Sequence, residues 1–345
     1  MANSPGLFTL QTSFTRTLTI DHLQVPSTQT DFPVLVSFTD ATFKTIANGG
    51  HVNSTNAFTF SSDSAGVNLL KWEVERYNAS TGEIIAWVKI SSVSSVSDTI
   101  FYLKYGVSIT TDQSDPVNVW TNSFLGVYHF ADGTTLNVNS STGSNNGTNH
   151  GATATAGQID GAASFVSASS QYVDLGSGIN PGELTYSAWV NATSFPNAYN
   201  EVIGRFSTAG GTHYTLFTVK SNGKLALFYT VAGGGGRSLD GTGSHTLSTA
   251  TWYHVAMTYA SATTTLNGYV NGSLDNTDST GATNSLDTNA APTYIGNDNQ
   301  GAGFFWNGAI DEPRIASVPR SADWISVEYA NQKPSANLVA LGPET

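Results

Sequence analysis

At 345 residues the chain exceeds the size at which one hydrophobic core usually stops growing, so two domains, each burying its own core, are expected. Thirteen Lys plus Arg against 25 Asp plus Glu give a net charge of −12, which repels phosphate backbones and anionic lipid headgroups and excludes nucleic acid and membrane insertion as partner classes. The absence of cysteine excludes disulfides and thiolate metal sites. Only 11% of residues are charged, and the abundance of Ser, Thr, Asn and Gly suits short strands joined by many turns, an all-β composition.

In chain order, the first strand-like runs are "FTRTLTI", "FPVLVSF", "AFTFSS", "LLKWEVERY", "IIAWVKI" and "TIFYLKY". Each alternates or is apolar throughout, and each is bounded by Gly, Asn, Ser or Asp, which predicts a β-sandwich over residues 1–117. The segment "GVSITTDQSDPVNVWTNS" loses this periodicity and carries Pro and Asp, placing the domain junction near Val117. A second series covers 118–345: "FLGVYHF", "AASFV", "QYVDL", "LTYSAWVNA", "EVIGRF", "HYTLFTV", "LALFYTV", "WYHVAMTYA", "TTTLNGYVNG", "PTYIGN" and "GAIDEPRIA". "AGGGGRS" reads as a flexible hairpin loop, because it follows a strand without opening a helix. One helix is predicted at "SADWISVEYANQ", with Ser321 as N-cap, Asp323 in its first turn, and Trp324, Val327 and Tyr329 placed for packing. "NLVALG" supplies a last strand, assigned by chain order to the second domain. No basic segment followed by an apolar run opens the sequence, so an intact secretory signal is not expected; a trimmed signal or another export route would serve.

Within "LLKWEVERYN", regular alternation puts Lys71, Glu73, Glu75 and Tyr77 on one face, with Leu70, Trp72, Val74 and Arg76 on the other. Two positions along a strand span roughly 6.5 to 7 Å, a spacing that a glycosidase acid pair could use. The plainer expectation is a half-exposed face where both acids meet Lys71 and other bases. His129 and His254 fall inside strand patterns as core imidazoles, and no zinc spacing is present. Sugar recognition requires aromatic faces beside amides and carboxylates. Trp306 and Phe305 after "GNDNQGAG", Asp298 within it, and Tyr199 in "FPNAYN" are the candidate ligand-binding residues.

The order of motifs resembles two known families. The first hundred residues, with Phe14, Arg16 and Ile20, "DFPVLVSF", "LLKWEVERYNASTGEIIAWVKI" and "DTIFYLKYG", are similar to the domain of unknown function numbered 2341. From about Val119 to Ala330, "GVYHFADG", "DGAASF", "QYVDLG", "LTYSAWV", "WYHVAMTY", "GYVNG" and "NGAIDEPRIA" resemble concanavalin-A-like domains of the laminin-G and pentraxin type. The resemblance implies two antiparallel jelly-roll sandwiches. It also implies a structural Ca2+ between Asp132 and Asp311, with Asn139 where a more typical member offers Asp. Jelly-roll glucanases that work from one strand show Glu-x-Asp-x-x-Glu or Glu-x-Asp-x-Glu. Glu73-Val74-Glu75-Arg76-Tyr77 lacks the middle acid and the third carboxylate. The expected function is therefore binding of a polysaccharide or surface glycan, by a secreted, extracellular or virion-surface protein. A polysaccharide-degrading enzyme using Glu73 and Glu75, or a structural surface subunit in a homo-oligomer or larger assembly, are the alternatives.

Overall fold

The computed structural model of the chain describes residues 13–345 apart from 55–56, 131–133, 209–211, 280–283, 289–290, 299–302 and 334–337. Asp132 lies outside the described residues. The first sandwich is built from β1 (Phe14–Ile20), β2 (Gln29–Thr39), β3 (Phe58–Ser61), β4 (Lys71–Asn78), β5 (Glu83–Val93) and β6 (Thr99–Tyr105). A one-turn helix α1 (Pro116–Val119) marks the junction. The second sandwich uses β7 (Phe124–Val127), β8 (Thr148–His150), β9 (Thr153–Ala156), β10 (Gly161–Phe165), β11 (Tyr172–Asp174), β12 (Leu184–Ala192) and β13 (Tyr199–Ser207). It continues with β14 (His213–Lys220), β15 (Leu225–Thr230), β16 (Gly236–Asp240), β17 (Tyr253–Ala260), β18 (Thr265–Val270), β19 (Ser273–Asp278), β20 (Thr293–Ile295) and β21 (Gly308–Ala316). Helix α2 (Ala322–Gln332) and β22 (Val339–Glu344) follow.

The all-β prediction holds. The strands form four sheets: β22-β1-β6-β3 faces β2-β5-β4, and the seven-stranded β16-β15-β14-β13-β20-β11-β8 faces the eight-stranded β19-β18-β17-β12-β21-β10-β9, to which β7 adds beside β21. Apolar side chains alternate inward to make two cores. Leu18, Val34, Phe60, Trp72, Val88 and Leu103 belong to the first. Tyr128, Val190, Phe217, Leu227, Met257 and Ile310 belong to the second. Each such aromatic or aliphatic side chain contributes about 1.5–3 kcal/mol on leaving water.

Two corrections concern the domain plan. The final strand belongs to the first sandwich: β22 lies antiparallel to β1, with Ile20 opposite Val339 and Leu18 opposite Leu341. Helix α2, capped by Ser321 Oγ accepting from Trp324 N as predicted, sends Trp324, Ile325 and Val327 into the first core. Its other side reaches the second sandwich, where Gln332 Oε1 accepts from Trp189 Nε1 at 2.7 Å and Glu328 Oε1 from Ser187 Oγ at 3.1 Å. A third, small cluster joins the sandwiches: Leu35, Ile85 and Trp87 on the outer face of β2-β5-β4 pack against Val119, Trp120 and Val127. The outer surfaces of two sheets thereby become one interior. No helix among the described residues is long and apolar enough to cross a membrane.

Candidate functional site

Two places concentrate chemistry. The first is a groove on the outer face of the seven-stranded sheet. Residues Tyr214, Leu216 and Thr218 of β14 point away from the core because Thr215, Phe217 and Val219 point into it, and Phe228 of β15 pairs beside Leu216. Tyr199 and Phe206 of β13 and Phe304 from the loop before β21 complete a concavity of about 450 Å³. All five aromatic rings are half-buried, with the Tyr199 and Phe228 rings 5.3 Å apart edge to face. One end has a polar rim: Lys220 Nζ sits 5.3 Å over the Tyr199 ring and 2.8 Å from Asp240, which also accepts from Tyr199 Oη.

Glu201 lies beneath these rings. The pairing with β14 shifts between Glu201 and Ile203, with Val202 as the extra residue; Glu201 Oε1 accepts from Phe217 N at 2.9 Å, and its buried Oε2 has no hydrogen-bond partner among the described residues. Its neighbour is Asp298, also fully buried. Gly204 makes room for both, since a Cβ there would stand 2.6 Å from Asp298 Cβ and 2.8 Å from Glu201 Cδ. Burial, reinforced by the Asp298 charge, pushes the Glu201 carboxyl well above the usual range. A carboxyl kept neutral can donate a hydrogen bond as well as accept one.

The sequence candidates separate accordingly. Tyr199 lines the groove and Asp298 adjoins its floor. Trp306 does not serve as a platform: it is fully buried in the second core, 6.2 Å from the Phe195 ring, because the core gains more from an indole than the loop surface does. Phe305 is nearly as buried, against Tyr172, and the aromatic that reaches the groove is the neighbouring Phe304. Asn139 is exposed. Asp311 is wholly buried, with Oδ2 accepting from the amides of Gln158 and Ile159 at 2.7 and 3.0 Å. Asp311 Oδ1 has no hydrogen-bond partner among the described residues, which leaves one oxygen for a cation; burial, then the adjacent Glu312 charge, raises this carboxyl's pKa well above normal.

The second place is the junction itself, and it corrects the reading of Glu73 and Glu75 as a half-exposed face. Their side chains are 9% and 1% exposed, although the Glu75 backbone reaches solvent. Glu73 Oε1 accepts from Trp120 Nε1 at 2.5 Å and lies 2.9 Å from His129 Nε2. Glu75 Oε2 accepts from Trp87 Nε1 at 2.6 Å. Simple alternation fails here because Glu75 is the extra residue of a bulge between Val74 and Arg76. Tyr77 is thereby turned to the core side, where its hydroxyl donates to Phe43 O, and Arg76 turns to meet Asp160. His129 Nδ1 in turn lies 2.5 Å from Glu312 Oε1. Arg314 donates to Glu312 at 2.6 Å and to Glu328 at 3.3 Å while its guanidinium covers the Trp87 and Trp120 rings at 4.3 and 4.9 Å.

Burial opposes charge on His129, but Glu312, Glu75 and Glu73 outweigh it and raise the imidazole well above its ordinary value. For Glu75 burial wins and the carboxyl is pushed up. For Glu312 the His129 and Arg314 charges overcome burial and hold it below normal. Glu73 and Glu75 are thus engaged with Trp120, Trp87 and His129 inside the junction. Reading His129 as a plain core imidazole missed the convergence, because its partners come from strands more than 50 and 180 positions away.

The model of the Concanavalin A-like lectin/glucanases superfamily matches residues 167–326. No curated protein sequence gives a significant match. Among solved structures, the chain is similar to domain 4 of AbnA, a GH43 extracellular arabinanase from Geobacillus stearothermophilus, in complex with arabinotriose: 16% identity, 59% of this chain and 97% of that one, TM-score 0.49. It is similar to the binding domain of Paraclostridial Mosquitocidal Protein 1, at 12% identity over 60% of this chain and 52% of that one, TM-score 0.50. The CBM40 of a Ruminococcus gnavus IT-sialidase, bound to α2,3-sialyllactose, shares 12% identity over 44% of this chain and 83% of that one, TM-score 0.37. The family match and the fold likeness make the second sandwich a concanavalin-A-like jelly roll.

Proposed function

We propose that the chain binds a polysaccharide or surface glycan in the groove of the second sandwich, outside the cell or on a virion surface. The observation that carries this reading is the run of half-buried rings of Tyr199, Phe206, Tyr214, Phe228 and Phe304 above a carboxyl floor. Aromatic faces take the apolar side of a pyranose, and the Lys220 and Asp240 rim offers a donor and an acceptor to its hydroxyls. The net charge of −12 favours a neutral or cationic glycan over a sulfated one. A calcium ion at Asp311, with Asp132 and Asn139, belongs to this reading as a support for the nearby loops; the unpartnered Asp311 oxygen fits it and the exposure of Asn139 does not strengthen it. The first sandwich, read as the domain of unknown function numbered 2341, serves as the base on which the binding unit is mounted.

A second reading has its own observation: Glu201, whose carboxyl burial pushes well above the usual range next to Asp298, has the makings of a general acid beside a second carboxyl. A polysaccharide panel scored for both retention and cleavage separates the two. Binding predicts saturable retention of a defined glycan, weakened about tenfold or more by Tyr214→Ala or Phe228→Ala, with no product released. Product that disappears in Glu201→Gln establishes the hydrolytic reading instead, and retention indifferent to all three substitutions removes the groove from consideration.

A further inference from the structure

The junction between the sandwiches gathers more buried acid than packing explains. Glu73, Glu75 and Glu312 converge on His129, and Glu312 and Glu328 on Arg314, all with side chains less than a tenth exposed. His129 is oriented as metal-binding histidines are: Glu73, itself fixed by Trp120, accepts at Nε2, and Nδ1 is turned toward Glu312 Oε1 at 2.5 Å and Glu75 Oε2 at 3.4 Å. One ligand atom from each of Glu75, His129 and Glu312 lies within 4.8 Å of the others.

Two independent observations single out this trio. Glu75 Oε1 is buried with no hydrogen-bond partner among the described residues, on a side chain only 1% exposed whose other oxygen already faces Nδ1. Both carboxylate ligands are also delivered by irregular backbone. Glu75 is the bulge residue of β4, and Glu312 sits at the register shift of β21 against β12 with φ of +51°, a conformation a non-glycine residue adopts at a cost. Regular strands would have aimed neither side chain at His129.

The geometry points to a divalent-cation site that clamps the two sandwiches together, with His129 Nδ1, Glu75 and Glu312 as ligands and Glu73 as the positioning residue. A dication in place of the Nδ1 proton adds one net positive charge among these carboxylates. One imidazole nitrogen with two carboxylates suits a first-row ion such as Zn2+ or Mn2+ better than Ca2+ or Mg2+, which prefer all-oxygen shells. Ligand bonds of about 2.0–2.2 Å require the 2.5 Å Nδ1 to Oε1 contact to open by less than an ångström. A surface cleft lined by Glu75, Arg76 and Asp160 lies beside the Glu75 backbone. The site is distinct from the groove and from Asp311, so it stands or falls apart from glycan binding.

The test is metal uptake by the full chain, dialysed against chelator and then titrated with Zn2+, Mn2+ and Co2+, both as purified and after refolding with the metal present. One equivalent of Zn2+ is expected, with a thermal midpoint raised by several degrees. Bound Co2+ should quench the emission of Trp87 and Trp120, whose rings lie 5.8 and 5.6 Å from His129. Glu75→Gln, which keeps an acceptor for Trp87, should weaken binding at least tenfold, and Glu73→Gln by about ten- to a hundredfold. His22→Gln, at the exposed Asp21, His22 and Asp98 group, should leave it unchanged. Absence of stoichiometric uptake by the wild-type chain under both conditions overturns the site, as does uptake without tryptophan quenching or uptake lost in His22→Gln. The wild-type measurements decide the matter even should a variant fold poorly.

Discussion

His254 shows how one buried side chain sets a pH dependence. It stands on β17 between the rings of Trp189 and Tyr329, 5.4 and 6.1 Å away, with Nδ1 unpartnered. Burial pulls its pKa from 6.5 to about 4, because the attraction of Glu328 is too weak to offset it and Arg314 acts in the same direction as burial. Between these values the unfolded chain binds a proton that the folded chain refuses, so stability falls as pH drops from 6.5 toward 4 and levels off below. The full effect is on the order of 3 kcal/mol. Urea midpoints of wild type should therefore drop through this window relative to His254→Leu, in which that contribution is gone. Parallel curves for the two proteins would assign the acid sensitivity to other groups.

Irregular stretches of strand, rather than the strands as such, decide what each sheet does. Gly308 opens β21 with φ of +142°, and a Cβ there would meet Asn191 O at 2.2 Å, so the residue sets the close approach of β21 to β12. Gly308→Ala should cost about 2 kcal/mol or more in thermal unfolding. Gly303→Ala, whose φ is +110° but whose Cβ would meet nothing within 4 Å among the described residues, should cost clearly less. Equal losses would mean that φ alone, without the backbone collision, matters at Gly308. The strand β21 was legible as "GAIDEPRIA" to the residue, as were "FTRTLTI" and "LTYSAWVNA", since period-two apolar runs announce themselves. The bulges at Glu75 and Glu312 were not, because an extra residue is extra only against a partner strand that one segment does not reveal. Edge strands such as "TNH", "TATA" and "SLDNTD" escaped for a related reason: they are short and polar, and their neighbours hold them in place. In the groove, Tyr214 and Phe228 were hidden by β14 and β15 being apolar on both faces, so alternation could not tell the core side from the ligand side.

At the scale of the whole molecule, the two sandwiches are unequal in their independence. Every member of the second core falls between Tyr128 and Ile315, within one contiguous stretch. The first core instead borrows Trp324, Ile325 and Val327 from α2 and Leu338 and Val339 from the last strand, and even touches Ala256 and Tyr269 on the outer face of the second. Chain order suggested a cut at Val117, which leaves β1 with a bare edge where β22 pairs. Residues 13–117 alone should fail to fold cooperatively, since a core stripped of Trp324 and Ile325 loses burial worth several kcal/mol against a net stability of about 5–15 kcal/mol. Residues 118–320 alone should fold, with the outer face of the eight-stranded sheet newly exposed. Circular dichroism melts and amide dispersion of the two fragments check both statements, and mixing 13–117 with a 321–345 peptide should restore order to the first. A sharp, reversible melt of 13–117 on its own would show that α2 and β22 merely dock on a finished sandwich rather than complete it.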